Sequence, residues 1–255
     1  VEGELADKPP HFELARTGRL EGSPYRGQFY IAGQGPGFDY RQVSQSDARL
    51  GRAYYYSMVR LIDEQAGRIL DCLEQQGLAE NTLVIFTTDH GELLGDHGLW
   101  MKGPFHYEEL VHIPLLLRYP RAIPGGQALD CLASQVDIVP TVLAALGADT
   151  PPEVDGLNLL PVLQGGTPPG RDHILIECVD DPTHLRLKTV VTQDRKLTLY
   201  HEQPFGELYD LENDPGERRN HWDDPAYQPD RLRLTGQVVD HLERLERRAV
   251  RYSYA

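Results

Sequence analysis

Apolar residues recur along this chain with two different spacings, and each spacing predicts a different kind of element. Between residues 46 and 76 they return every third or fourth residue, which is typical of one face of a long helix. That apolar stripe consists of Tyr55, Met58, Ile62, Ala66, Ile69 and Leu73. Ser44 or Ser46 is placed to cap the helix, and Gly77 is placed to end it. The next apolar run, Leu83–Thr88, is rich in β-branched residues and predicts a buried strand.

The same alternation of helix and strand continues to about residue 170. His112–Tyr119 predicts a second apolar strand, which Pro120 closes. Asp137–Leu146 predicts a helix, with Asp137 as its cap and Gly147 as its end. Because strands that alternate with helices usually form βαβ units, this region is predicted to be a mostly parallel sheet flanked by helices.

Beyond residue 170 the pattern becomes rich in strands. His173–Cys178 predicts one strand, and Glu207–Leu211 could add another. Residues 186–192 and 196–201 flank a short polar turn, which predicts a hairpin. Leu232–Arg248 predicts a final amphipathic helix. These elements together predict a small α+β subdomain with an antiparallel sheet.

Residues 1–45 show no hydrophobic period and are interrupted by prolines and glycines. The sequence therefore predicts three parts in the 255-residue chain. Residues 1–45 are predicted to be an irregular segment, residues 46–170 an α/β core, and residues 171–255 a small C-terminal α+β subdomain.

The overall charge and composition exclude several classes of partner. The net charge of −14 argues against nucleic acid, since phosphate contacts require clustered lysine and arginine. No run reaches the ~18 apolar residues that a membrane span needs. The three cysteines, Cys72, Cys131 and Cys178, are too far apart to suggest a disulfide framework or a zinc site. No secretory signal is visible, and the cellular compartment stays open.

The predicted strand Leu83–Thr88 stops at Asp89 and His90, which are followed by Gly91. In open α/β sheets, ligands bind at the carboxyl ends of the strands, and a carboxylate buried there would need a cation or donors beside it. Alternatively, Asp89 caps a helix and His90 makes an ordinary hydrogen bond. As metal ligands, the pair suits calcium, magnesium, manganese or zinc, and at least two further ligands would have to come from elsewhere.

Lys102 follows this pair across a glycine-rich connection. A flexible ammonium that folds back over a metal site can hold an anionic oxygen. The alternative is a solvated surface lysine, which is the commoner situation for this residue type.

Several further motifs occur in a characteristic order and resemble the sulfatase family of the alkaline phosphatase superfamily. They are YYSMVRLIDEQAGRIL (55–70), NTLVIFTTDHGE (81–92), GDHGLW (95–100) with Lys102, IPL (113–115), SQVDIVPT (134–141), DGL (155–157), ELYDL (207–211), DPGE (214–217) and Asn220. The resemblance runs from about residue 50 to 222. It implies an alkaline-phosphatase-like α/β fold followed by a small antiparallel subdomain.

The resemblance also implies roles for individual residues. Asp89 and His90 match the second metal-ligand pair of the family, which implies a divalent cation, with calcium favoured and magnesium or manganese as alternatives. Lys102 matches the catalytic lysine that binds the sulfate group and its leaving oxygen. His106 lies near enough in sequence to reach the pocket and is a further candidate for substrate binding.

One family motif is missing from this sequence. The nucleophile of the family is a formylglycine made from the Cys or Ser of a C/S-x-P-x-R motif, and no Cys or Ser of this chain begins one. The first metal-binding Asp-Asp pair of the family is missing too. The simplest interpretation is that the chain is the C-terminal part of a longer sulfatase, with the formylglycine upstream.

Three functions follow as hypotheses. The first is a metal-dependent sulfuric ester hydrolase of the arylsulfatase type, inactive as this fragment alone. The second is a hydrolase of phosphonate monoesters or phosphodiesters in the same superfamily, and the third is a non-catalytic binding domain. The implied partners are a small-molecule sulfate ester and the missing N-terminal part of the enzyme, with a second copy of the chain as an alternative, since incomplete sheets leave exposed edges.

Overall fold

A computed structural model describes residues 6–17, 39–168, 170–180 and 185–248 of the chain. The chain divides into two compact units. The first is drawn from Val1–Tyr56, Asp89–Ile113 and Leu175–His241, and the second from Ser57–Thr88, Pro114–Ile174 and Leu242–Ala255. Within the described residues, no helix is long and apolar enough to cross a membrane.

The long helix that the apolar stripe predicted is confirmed as α2, Gln45–Gln75. Its start is held as expected, because the backbone N–H of Asp47 donates to Ser44 Oγ (3.2 Å) and the N–H of Ser44 donates to Asp47 Oδ2 (3.2 Å). Gly77 ends it with a left-handed φ of 65°, which glycine adopts without a steric penalty. No residue of α2 is buried.

A shorter helix, α1 (Pro10–Thr17), corrects the expectation of an irregular segment over residues 1–45. Eight residues are too few to show a hydrophobic period clearly, and Pro10 at its first position is tolerated because that N–H has no intrahelical partner. The residues of 1–45 at 1–5 and 18–38 lie outside the described part of the chain.

The second unit contains strands β1 (Val84–Thr87) and β2 (Leu115–Arg118), close to their predicted positions. The two strands pair antiparallel, with Val84 opposite Arg118 and Thr87 opposite Leu115. The expectation of a parallel sheet is therefore wrong for this pair. A continuous apolar run such as Leu83–Thr88 is typical of a parallel strand that is covered on both faces, but it does not determine the direction in which a strand pairs.

The predicted helix after β2 is confirmed as α4, Ile138–Ala145, and a short helix α5 spans Leu160–Leu163. Asp137 at the start of α4 is fully buried. It accepts two hydrogen bonds from Arg171, at 2.6 and 2.7 Å, and further bonds from the N–H groups of Ser134 (2.8 Å) and Leu157 (2.7 Å). This carboxylate therefore ties three segments of the second unit together.

The first unit contains the predicted C-terminal sheet. Its strands lie in the order β3 (Ile174–Asp180), β4 (Leu185–Val191), β5 (Arg195–Tyr200) and β6 (Gly206–Asp210). The pair β4–β5 is antiparallel, as the hairpin signature predicted, and β5–β6 is antiparallel too. The closing helix α6 spans Gln228–Arg248. The α/β fold class with a small antiparallel subdomain is thus confirmed, while the three-part domain division stays a prediction.

The core of the first unit collects apolar side chains from α1, from the loop after residue 92, from the short helix α3 (Glu108–Val111) and from β6. Its buried members are Phe12, Ala15, Leu93, Leu99, Phe105, Tyr107, Leu110 and Tyr209. Because these segments are far apart in sequence, the core fixes the loop that carries the candidate site residues.

Candidate active site

The candidate metal ligands lie in the turn that follows β1. The backbone N–H of His90 donates to Asp89 Oδ1 (3.0 Å), and Asp89 Oδ2 lies 3.5 Å from His90 Nε2. The Asp89 side chain is 81% exposed and that of His90 is 36% exposed. A carboxylate oxygen and a ring nitrogen are therefore presented together at an accessible position.

The hydrogen bonds of His90 define its tautomer. Its Nδ1 lies 2.7 Å from the carbonyl oxygen of Gly91, which can only accept, so Nδ1 carries the proton. Its Nε2 lies 3.0 Å from Lys102 Nζ, and the ammonium can only donate. The Nε2 lone pair therefore faces Lys102 Nζ, and a neutral imidazole in this tautomer is the form of histidine that binds metal ions.

Lys102 reaches this lone pair from a tightly folded loop. Three non-glycine residues of this loop have a positive φ: Leu94 (49°), His97 (53°) and Met101 (65°). Two backbone hydrogen bonds close the loop: the N–H of Leu93 donates to Met101 O (3.3 Å), and the N–H of Gly95 donates to Leu99 O (2.8 Å). The left-handed Met101 directly precedes Lys102, so the loop geometry sets the direction in which the lysine leaves the chain.

Glu92 joins the two ends of that loop. Backbone N–H groups of Leu93, Leu94 and Met101 bond to its carboxylate and favour its charged form. Burial acts more strongly and raises the pKa of Glu92 above its usual value. Burial raises the pKa of Tyr40 to about 12, and the charge of the Glu92 carboxylate acts in the same direction. Glu92 therefore fixes the loop that begins directly after His90.

Gly91 brings the ligand turn into direct contact with α3. Its N–H donates to the carbonyl of Leu110 (2.9 Å). A Cβ added at Gly91 would lie 1.8 Å from the carbonyl oxygen of Glu109. Only glycine allows this approach, so the turn and α3 form one backbone-to-backbone contact.

His106 is held by the C-terminal sheet. Its Nδ1 lies 2.7 Å from Thr189 Oγ1 on β4, and Thr189 Oγ1 lies 2.8 Å from Thr198 Oγ1 on β5. Burial, with a smaller contribution from the Lys196 charge, lowers the pKa of His106 to about 4, so its ring is neutral at pH 7. The structure thus brings Asp89, His90 and Lys102 together, and it gives His106 a different set of neighbours.

Sequence reasoning missed a buried ionic cluster next to α3, formed by Glu108, Lys196 and Glu217. Glu217 belongs to the DPGE motif noted above, but nothing in that motif indicates a contact with a helix more than a hundred residues earlier. A lysine that directly precedes the apolar positions Leu197 and Leu199 of the same strand, as Lys196 does, is the one available signal.

The donor set at Asp89 and His90 fits part of a cation site. A carboxylate oxygen and the Nε2 lone pair of a neutral imidazole are suitable ligands for a divalent cation. Among the described residues, no group of three or more His, Cys, Asp or Glu side chains forms a metal site. The pair therefore fits two positions of a larger coordination sphere.

Comparison with known proteins places these residues in a family context. The family model described as N-sulphoglucosamine sulphohydrolase, C-terminal, matches residues 95–246, more than half of the chain. The model described as Sulfatase matches residues 29–148.

Curated relatives agree with these matches. The chain is 36% identical over 173 residues to an N-acetylglucosamine-6-O-sulfatase of Bacteroides thetaiotaomicron, covering 65% of this chain and 31% of that protein. It is 33% identical over 217 residues to the multifunctional alkaline phosphatase superfamily protein PehA of Trinickia caryophylli, covering 79% of this chain and 41% of that protein. The chain thus spans well under half the length of these relatives.

Solved structures share the fold. The protein BT4656, in complex with its substrate D-glucosamine-2-N,6-O-disulfate, superposes with a TM-score of 0.69 at 32% identity, covering 74% of this chain and 39% of that one. A phosphonate monoester hydrolase of Agrobacterium radiobacter superposes with a TM-score of 0.74 at 31% identity, covering 85% of this chain and 45% of that one.

Proposed function

The chain belongs to the sulfatase family of the alkaline phosphatase superfamily, and from this premise we propose that the full-length protein hydrolyses sulfate esters. The observation that carries the proposal is the grouping of Asp89, His90 and Lys102 at one accessible position. These residue types match the sulfate-binding half of a sulfatase site. The substrate bound in the BT4656 structure is a sulfated sugar, which supports a sulfate ester as the class of substrate.

Asp89 and His90 are proposed to hold a divalent cation, with calcium favoured over magnesium and manganese. Asp89 supplies a hard carboxylate oxygen, which suits calcium, and His90 supplies Nε2 in the required tautomer. A cation held by Asp89 and His90 would supply Lewis-acid polarisation of a sulfuryl oxygen, and the formylglycine of the family would supply the attacking oxygen. The remaining ligands and the nucleophile are proposed to come from the rest of the full-length protein.

Lys102 is proposed to act on the leaving oxygen of the ester. When the bond between sulfur and the leaving oxygen breaks, negative charge accumulates on that oxygen. The ammonium of Lys102 can donate a hydrogen bond to it and so stabilise the charge as it develops. A lysine held in place by a folded loop acts more effectively than a mobile one, because less reorganisation is needed during the reaction.

His106 is proposed to contribute to the substrate-binding wall rather than to the reaction itself. Its Nδ1 is engaged with Thr189, and burial keeps its ring neutral. A neutral imidazole can accept or donate a hydrogen bond to a sugar or aryl substituent without adding charge.

A phosphonate monoester hydrolase is the second candidate, since the Agrobacterium radiobacter enzyme has a similar fold over most of the chain. The deciding experiment compares kcat/KM of the full-length protein for matched aryl sulfate, aryl phosphate diester and phosphonate monoester substrates. A larger value for the sulfate supports the proposal, and a larger value for either phosphorus ester supports the second candidate.

Exposed apolar residues indicate a further protein contact. Leu61, Ile62 and Ile69 on α2 are 57–62% exposed, and the paired residues Phe86 and Leu116 are 43% and 59% exposed. Because the chain spans 31% and 41% of its relatives, we propose that the remainder of the sulfatase fold covers these side chains. Light scattering tests this: the 255-residue chain alone should self-associate, and a monodisperse monomer would contradict the proposal.

A further inference from the structure

Helix α3 has the Asp89–Gly91 turn packed against its backbone. The N–H of Gly91 donates to Leu110 O (2.9 Å), and there is no room for a side chain between Gly91 and Glu109. A contact between two backbones cannot be adjusted by a change of rotamer. Any shift of α3 is therefore transmitted to the turn that presents Asp89 and His90.

The first residue of α3 is held by Glu217. Glu217 Oε2 accepts a hydrogen bond from the backbone N–H of Glu108 (2.7 Å), a group that has no partner within the helix. Glu217 is itself fully buried, and Lys8 Nζ donates to its carbonyl oxygen (2.5 Å). The start of α3 is thus fixed by a carboxylate from a distant part of the chain.

Lys196 on β5 completes the arrangement. Its Nζ lies 2.5 Å from Glu108 Oε1 and 2.9 Å from Glu217 Oε1, and its side chain is 1% exposed. One ammonium thus bridges the side chain of the first residue of α3 and the carboxylate that bonds to its backbone. These contacts connect the C-terminal sheet to α3 through charged side chains.

The energetics of the contacts among Lys196, Glu217 and Glu108 indicate that they define the position of α3. Burial raises the pKa of Glu217, while the Lys196 ammonium favours the charged form of Glu217. A buried ion pair often stabilises a protein no more than an apolar pair of the same size would, because desolvation offsets the attraction. A hydrogen-bonded ion pair, in contrast to an apolar contact, is strongly directional. The contacts on Glu108 therefore specify the position of α3 more sharply than apolar packing would.

We propose that Lys196 and Glu217 are positioning residues that hold α3 and, through Gly91, keep the Asp89–His90 turn in its productive geometry. The inference rests on the proposed function, since it assigns the turn a catalytic task. It extends that function by giving the C-terminal sheet a part in building the site. Neither residue contacts Asp89, His90 or Lys102 in the bonds described above.

Hydrogen exchange on the 255-residue chain tests the inference without an activity assay. Glu217→Leu removes the acceptor for Glu108 N–H, and Lys196→Met removes the charge but keeps the stem. Both variants should speed exchange of the Gly91 amide and its neighbours by about tenfold, while the β4–β5 ladder exchanges as in the wild type. Glu217→Gln keeps an acceptor oxygen and should restore most of the protection. Lys188→Met is the control, since Lys188 pairs with Glu177 at the surface of the same sheet.

Kinetics on the full-length protein give the second readout. Glu217→Leu and Lys196→Met should lower kcat by about 100-fold, the size expected for displaced catalytic groups, and Lys188→Met should leave it unchanged. Unchanged exchange at Gly91 in both variants would overturn the inference, as would faster exchange spread equally over β4, β5 and β6. A wild-type protein without activity on any ester would overturn the proposed function instead, and the exchange results alone would then decide the inference.

Discussion

The ammonium of Lys102 lies 3.0 Å from His90 Nε2, and this places a cation beside the ring nitrogen that is the candidate metal ligand. The two residues lie on opposite sides of a tightly folded loop, and the Nδ1 bond of His90 to Gly91 O fixes which nitrogen faces the lysine. The relationship joins the two parts of the proposed site, one that holds a divalent cation and one that holds the anionic substrate.

The first prediction concerns the cation. Chelation of divalent cations should abolish hydrolysis by the full-length protein, and calcium should restore it. His90→Gln should raise the calcium concentration needed for half-maximal activity by about 10- to 100-fold, because the ring nitrogen ligand is lost. His201→Gln is the matched control, since His201 is exposed and pairs with Glu202 within the same unit. An activity that survives chelation would contradict the assignment of Asp89 and His90.

The second prediction concerns Gly91. Gly91→Ala should destabilise the protein by about 1–3 kcal/mol in urea unfolding, because the new methyl group meets the Glu109 carbonyl oxygen at 1.8 Å. Gly236→Ala is the control, since a Cβ at Gly236, inside α6, meets nothing within 4 Å. It should stabilise the protein by about 0.5–1 kcal/mol, the usual gain of alanine over glycine in a helix. Equal effects of the two substitutions would show that the contact between Gly91 and α3 is not tight.

The third prediction concerns the buried carboxylate of the second unit. Asp137→Ala should lower the free energy of unfolding by about 3–5 kcal/mol, because the Arg171 side chain, which is only 13% exposed, would lose its partner. The comparison is Glu64→Ala, which breaks the exposed pair with Arg60 and should cost only about 0.3–0.5 kcal/mol. A loss of stability as small for Asp137→Ala as for Glu64→Ala would contradict the role given to Asp137.

The fourth prediction concerns pH. Burial lowers the pKa of His11 to about 3 and that of His106 to about 4, from an ordinary value of 6.5. Below pH 6.5 both histidines bind protons in the unfolded chain. In the folded chain, His106 binds a proton only near pH 4 and His11 only near pH 3. Stability should therefore fall as pH drops from 6.5 to 4, by up to about 1.4 kcal/mol per pH unit for each histidine.

His11→Phe should reduce this pH dependence, because Phe cannot be protonated and fits a site that is lined by Phe12, Phe105 and Tyr200. His201→Phe is the control, since the His201 side chain is 61% exposed. Urea unfolding of the three proteins at pH 7 and pH 5 provides the measurement. A His11→Phe variant with the same pH slope as the wild type would show that His11 is protonated in the folded state.

Sequence patterns predicted most elements because local signals determine them. Helix α2 follows from its apolar stripe, the serine cap and Gly77, all of which can be read within one segment. The hairpin β4–β5 follows from two apolar runs and a polar turn. The antiparallel direction of β1 and β2 depends on the path of the chain between them, and no local signal reports it.

The candidate site was accessible to sequence reasoning only in part. Asp89 and His90 are adjacent, and Lys102 follows within one loop, so their proximity could be anticipated. The contacts of Lys196 and Glu217 with Glu108 depend on tertiary packing between segments that are far apart in sequence, which no periodicity or spacing encodes. The tautomer of His90 likewise depends on its position relative to Gly91 O and Lys102 Nζ.

The most direct test of the account is kcat/KM for an aryl sulfate, measured with the full-length wild-type protein, Lys102→Ala and the surface control Lys188→Ala. If Lys102 stabilises the leaving oxygen, Lys102→Ala should lower kcat/KM by about 100- to 1000-fold, and Lys188→Ala should match the wild type. Hydrolysis of the aryl sulfate at the wild-type rate by Lys102→Ala would contradict the account.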